Sequence, residues 1–221
     1  MLSHTPDIER PEPRWPVIVA ACAAVALHFA LPAPLRPGTP WFLGIVVGTL
    51  VIAATVFRHL GMHRQNAWAS YGVLAALAGG LLYGVVALII GLVRHSENAP
   101  ELLLSATVLW ASNVIVFASW YWRLDGGGPN VRERQDAHTR GAFLFPQMMI
   151  TPPSGDVTLA EEQGWRPNFV DYLFLAFNTS TAFSPTDVPP LTAYAKGAMM
   201  LQSLISLTAV VVLAGRAVNI L

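Results

Sequence analysis

Five blocks of apolar residues, 17–31, 41–57, 68–93, 102–122 and 193–221, separated by short polar or proline-rich stretches, dictate what this chain can become. Of its 221 residues 54% are hydrophobic and only 12% are charged, where soluble domains hold about 25%. A soluble core has no place for that many long apolar segments. The blocks therefore predict an all-α integral membrane protein, since helices satisfy their own backbone groups in lipid. The last block alone gives roughly 43 Å of helix at 1.5 Å per residue, more than the ~30 Å hydrocarbon core needs. The first block, 15 residues long, is short for a span; Trp15 and Trp41 flank it as interface residues.

The segments between the blocks carry the polar chemistry. Residues 1–15, with Pro6, Pro11 and Pro13 among mixed charges, read as a solvated tail, and Asp7, Glu9 and Glu12 spoil the basic region that a signal peptide would need. Residues 16–122 then hold a four-helix transmembrane bundle. In its third helix Ala75, Gly79, Gly80 and Gly84 put small residues at four-residue spacing, for close packing within the subunit or between subunits. In its fourth, the central Asn113 predicts a bond to another helix, and Trp120, Tyr121, Trp122 and Arg123 predict an aromatic belt with a basic anchor. His28 and Cys22, both in the first block, read as an internally bonded or interfacial histidine and a small core residue.

Residues 123–168 form the one sizeable extramembrane loop. Asp125-Gly126-Gly127-Gly128-Pro129 predicts a flexible turn, 132–140 a short surface helix, and 143–150 an apolar segment that lies on the membrane or packs under the bundle. Asp156, Glu161, Glu162 and Asp171 read as solvated charges. No nucleotide-binding loop, nucleophile elbow or cysteine cluster is present, so neither an enzyme nor a cofactor is expected. His59 and His63 stand four apart without a third ligand nearby, so no metal is expected either. Thirteen basic and thirteen acidic residues cancel, which points away from nucleic acid.

The remaining stretch, 169–221, is a short aromatic helix over Phe169–Thr181, a hydroxyl-rich run and a long apolar helix. That order predicts a re-entrant hairpin, and with it five transmembrane helices plus one re-entrant helix. The hairpin resembles the pore loop of tetrameric potassium-type channels. Asn178, Thr179, Ser180 and Thr181 match the end of the pore helix; Ala182 follows, and Phe183, Ser184, Pro185, Thr186 and Asp187 stand in the place of the filter. Pro190, Thr192 and Lys196 match the turn into the inner helix. More inclusively, the chain resembles a family of bacterial multi-span membrane proteins of uncharacterised function, with a fourth helix rich in Trp and Tyr and a similar hairpin. The channel resemblance implies a homo-oligomer, a tetramer first, with monovalent cations as the permeant species and membrane lipids around it. It covers about a quarter of the chain.

The departures from that resemblance have a physical meaning. Potassium filters aim backbone carbonyls at the ion path, and their glycines supply the φ values required. Ser184 and Thr186 replace those glycines, and Pro185 replaces the aromatic and fixes φ near −65°. The expectation is a hydroxyl-lined vestibule or a plugged pseudo-pore. On the last helix Gln202 and Ser206, with Ser203 beside them, form a polar stripe that lines a pathway or binds the short helix. Basic residues mark the cytoplasmic side. With the N-terminus inside, ten of the thirteen fall on that side and three, Arg36, Arg94 and Arg216, on the other. The chain thus reads as a multi-pass protein of the inner (plasma) membrane. It is either a weakly selective cation channel or a non-conducting structural or regulatory protein with a degenerate pore hairpin.

Overall fold

The computed structural model describes residues 12–94, 99–151, 157–182 and 187–220. Helix α1 spans Trp15–Ala30, α2 Phe42–His59, α3 His63–Arg94 and α4 Ala99–Leu124. Two one-turn helices follow, α5 at Pro129–Arg132 and α6 at Leu159–Glu162, then α7 at Phe169–Thr181 and α8 at Ala193–Ile220. Among the described residues the sole β-type pairing is one antiparallel bridge, Phe143 to Pro190.

Among the described residues four helices are long and apolar enough to cross a membrane: α2, α3, α4 and α8. Five were expected. The first block forms α1, 16 residues or about 24 Å, which falls short of the ~30 Å hydrocarbon core. Its end is set by Pro32, which disfavours α geometry at the residue before it; Leu31 is accordingly extended, at φ −73° and ψ 147°.

Helix α4 is the hub. Two thirds of its most apolar window (67%) is buried, against 11% for α2, and it packs on α1, α3, α7 and α8. Small residues set the α3 contacts within the chain. A side chain added at Gly84 would come within 2.8 Å of Leu109 on α4, and one at Gly80 within 3.0 Å of Leu43 on α2. Gly79, on the same stripe, faces open space. Asn66 at the start of α3 donates to the carbonyl of Ala54 at 2.7 Å, closing the α2–α3 hairpin.

The aromatic cluster at the end of α4 is not an outward belt. Tyr121 and Trp122 are buried, and the exposed tryptophans are Trp15, Trp41 and Trp68. The reason is the company α4 keeps: with α1, α3, α7 and α8 packed around it, its large rings turn into the bundle. Cys22, expected in the core, is exposed on α1.

Candidate functional site

The hairpin of α7 and α8 is fastened to α4 at two levels, a base and a tip. The base begins where α4 ends. Gly126, Gly127 and Gly128 all take positive φ, from 57° to 90°, a region open to glycine at no steric cost. They turn the chain so that Pro129 can start α5 and Arg132 can reach back. Arg132, almost wholly buried, donates through Nη1 to the carbonyls of Trp122 at 2.8 Å and Asp125 at 2.6 Å. Its Nη2 meets Glu12 at 2.8 Å, and its guanidinium lies over the Trp122 and Tyr172 rings. The sequence suggested a flexible turn and a surface helix; the segment instead wraps a buried arginine that needs every one of those acceptors.

Asp125 is fully buried and collects donors from three parts of the chain. Its Oδ1 accepts the backbone N–H of Ala142 at 2.5 Å and of Phe143 at 3.4 Å. Its Oδ2 accepts the Tyr172 hydroxyl at 2.7 Å and lies 3.1 Å from His138 Nε2. A carboxylate this deep requires such partners, since burying an unpaired charge costs several kcal/mol. Neither Asp125 nor His138 has appreciable exposed surface, and the pair holds the loop to the end of α4.

The loop then pairs with the far end of the hairpin. The N–H of Leu144 donates to Pro189 O at 3.0 Å, and the N–H of Leu191 to Ala142 O at 2.7 Å. Phe143 and Phe145 are buried there, Phe145 edge-on to Tyr172 with ring centroids 5.7 Å apart. The segment expected on the membrane or under the bundle packs under it, apart from its exposed end at Met149 and Ile150. Asp171, read as a solvated charge, is a helix cap: its Oδ2 accepts Asn168 N–H at 2.7 Å while Asn168 Oδ1 accepts Val170 N–H at 2.7 Å. Glu161 caps α6 in the same way with Thr158.

From this base α7 runs back alongside α4 to the level of Asn113, twelve residues before Asp125, a depth of about 18 Å. Here the tip is fastened. Asn113 Nδ2 donates to Gln202 O at 3.1 Å and approaches Ser180 Oγ at 3.5 Å, the interhelical bonding that its position predicts. Gln202 Nε2 donates to Ala176 O at 2.7 Å and Ser180 Oγ at 2.8 Å, and its Oε1 accepts the Tyr121 hydroxyl. Ser206 Oγ donates to Ser180 O at 2.5 Å. The last carbonyls of a helix have no partners of their own, so Ser206 caps α7.

These contacts sort the residues expected at the pathway. Thr179, Ser180, Gln202 and Ser206 are buried and bonded within the chain. Ser203 is half-buried, while Thr181, Ala182 and Asp187 are exposed. Phe183, Ser184, Pro185 and Thr186 lie outside the described residues. His59 and His63 are both exposed and belong to different helices, and no group of three metal-ligating side chains occurs among the described residues. Sequence reasoning missed Asp125, Arg132, His138 and Tyr172. The available signal was a run of three glycines beside an acid at a helix end, a pattern that needs a reason beyond flexibility.

Of the basic residues assigned to one membrane side, Arg14, Arg58 and Arg132 lie close together, on Glu133 and Glu12. Arg14 Nη2 bonds Asn130 at 2.7 Å and Glu133 at 2.8 Å, and Arg58 lies 3.7 Å from the same Glu133. Burial pulls the Arg14 guanidinium down to about 10, against the opposing effect of Glu133, so it stays charged at neutral pH. Comparison with family models, with curated proteins and with solved structures finds no match to this chain.

Proposed function

We propose that this is a channel-like protein of the inner membrane, a weakly selective cation channel built as a homo-tetramer around the α7–α8 hairpin. The observation that carries the reading is the path of the hairpin. Helix α7 leaves the base at Tyr172, reaches the depth of Asn113, and the chain is back at the base by Pro190. In a bilayer that path is re-entrant, with α1 completing five crossings by means of its flanking Trp15 and Trp41. Non-helical backbone at such depth is tolerated only against protein or water, and the exposed Thr181, Ala182 and Asp187 gain such surroundings from neighbouring subunits around an axis. The clustering of arginines at the N-terminal end of the bundle supports a cytoplasmic N-terminus and a hairpin that inserts from the cytoplasm.

The second reading is a non-conducting protein whose hairpin is structural. It is favoured by Gln202, which spends both ends of its amide on Ala176, Ser180 and Tyr121 of its own subunit. Reconstitution of the purified protein into planar bilayers separates the two. Unitary cation currents are the expected result; silence at every protein density and voltage, from protein shown to be tetrameric, selects the structural role.

A further inference from the structure

Helices α1 and α2 meet at one end of the bundle and separate toward the other. Near the meeting point Gly44 lies against Val25 and Phe29, and the Phe29 and Trp41 rings are 5.1 Å apart. At the other end a cavity of about 520 Å³ opens between them, floored by α3 and α4. That size falls within the ~300–1,000 Å³ of ligand pockets. Its lining runs along α3 from Asn66 to Leu77, about 16 Å at 1.5 Å per residue, or close to half of a ~30 Å hydrocarbon core.

The two ends of this cavity differ in chemistry. The deep part is apolar, walled by Val17, Ile18, Val51, Val73, Leu74 and Leu77. The mouth carries Arg14, Arg58 and Arg123, from three different helix ends. One carboxylate, Glu133, is shared by Arg14 and Arg58; Glu12 is taken by Arg132 and the Trp122 indole. Arg123 is buried with its guanidinium on the Tyr71 ring, 4.9 Å from the centroid. Arg14 Nη1 and Arg123 Nε are both buried without a hydrogen-bond partner. Unmade bonds on buried charged groups are costly, and guanidinium groups match phosphate oxygens in geometry as well as charge.

We infer that this cavity is a binding site for an anionic phospholipid of the leaflet at the basic end, its phosphate held by Arg14, Arg58 and Arg123 and an acyl chain lying in the apolar cleft. The charge excess among the described residues, three arginines to one shared carboxylate, selects an anionic headgroup over a zwitterionic one. The depth, close to one leaflet, selects a membrane lipid over a soluble phosphate compound. Basic pockets between membrane helices recognise anionic headgroups by this combination. The inference is independent of whether the hairpin conducts.

Native mass spectrometry of the full-length protein in mild detergent tests it, with phosphatidylglycerol, phosphatidylcholine of the same chains, and inorganic phosphate as probes. Phosphatidylglycerol is expected to bind one per subunit and to raise the melting temperature, with the other two failing to do either. Arg58→Gln, at a partly exposed residue, is expected to weaken that binding about tenfold, or 1.4 kcal/mol, without lowering the melting temperature of the lipid-free protein. Ala54→Leu, which narrows the cleft without touching charge, is expected to weaken it as well. Equal binding of the two lipids would overturn the inference, as would protection by inorganic phosphate alone. So would phosphatidylglycerol binding that both variants leave unchanged.

Discussion

The Tyr172 hydroxyl donates to Asp125 at 2.7 Å across 47 residues of chain, and this bond joins the start of α7 to the end of α4. It lies at the base of the hairpin, next to the Arg132 guanidinium, which is over the Tyr172 ring. Removing the hydroxyl while keeping the ring isolates its contribution. Tyr172→Phe is expected to destabilise the protein by about 1.5–3 kcal/mol, the range for a hydrogen bond to a charged group. Detergent unfolding followed by tryptophan fluorescence measures it. A variant as stable as the parent would mean that His138 and the Ala142 N–H suffice to hold Asp125.

A second expectation contrasts two glycines of α3 five residues apart. A Cβ at Gly84 would sit 2.8 Å from Leu109 and 3.4 Å from the Leu35 carbonyl, and one at Gly79 meets nothing within 4 Å. Gly84→Ala is therefore expected to cost about 1–3 kcal/mol through overpacking. Gly79→Ala is expected to leave the subunit's own stability unchanged or slightly improved. If Gly79→Ala dissociates an oligomer on a sizing column while the subunit stays folded, the small-residue stripe has a second use between subunits.

Gln202 allows a third test. Gln202→Leu keeps much of the volume but removes the amide that is bonded to Ala176 O, Ser180 Oγ and the Tyr121 hydroxyl. Each buried polar group left unpaired costs about 1–3 kcal/mol, so the hairpin tip is expected to loosen from α4. Hydrogen exchange should then rise at residues 176–182 and stay unchanged at Asp125 and Ala142. Exchange that rises equally at base and tip would show that the two levels do not act separately.

The helical framework was legible because each long apolar block becomes one helix, and a helix in lipid has few alternatives. Asn113 was legible for the same reason, since a lone amide amid apolar residues must find a partner. The base of the hairpin was not. Asp125, His138 and Tyr172 are spread over 48 positions and show no periodicity; they meet only because Gly126, Gly127 and Gly128 reverse the chain and Gly141 lets the backbone pass. A Cβ on Gly141 would fall 2.3 Å from Asp125 Oδ1, yet in the sequence Gly141 looks like any loop glycine. The inward turn of Tyr121 and Trp122 was hidden for a related reason: an aromatic cluster at a helix end reads alike whether it faces lipid or a neighbouring helix.

Topology supplies a fourth expectation. Cys22 is the one native cysteine, so a Cys22→Ser background is clean for labelling. Single cysteines at Val170 and Asp187, both exposed, should react with a membrane-impermeant maleimide from the same face of the membrane as one at Glu133. Labelling of Val170 and Asp187 from opposite faces would make α7 part of a crossing and remove the re-entrant hairpin on which the channel reading stands.

The last expectation concerns selectivity. A potassium-selective ladder requires consecutive carbonyls aimed at one axis, and forcing non-glycine residues into positive φ costs about 1–3 kcal/mol each. In this sequence Ser184 and Thr186 stand where the glycines would be, with Pro185 between them restricting Ser184 toward extended geometry. Of the hydroxyl residues on α7, Thr179 and Ser180 are buried and bonded within the chain, which leaves Thr181. Thr181 itself back-bonds to the carbonyl of Phe177 at 3.0 Å, so its oxygen still has a lone pair for a cation but no rigid cage around one. The fixed charge is the exposed Asp187. Selection by charge alone favours cations over anions and distinguishes potassium from sodium poorly. The expected reversal potentials under potassium–sodium gradients are therefore near zero for the parent, and Asp187→Asn should lower cation-over-anion preference by removing one charge per subunit. A potassium-to-sodium preference like that of true potassium channels, unchanged in Asp187→Asn, would mean that backbone carbonyls do the selecting after all.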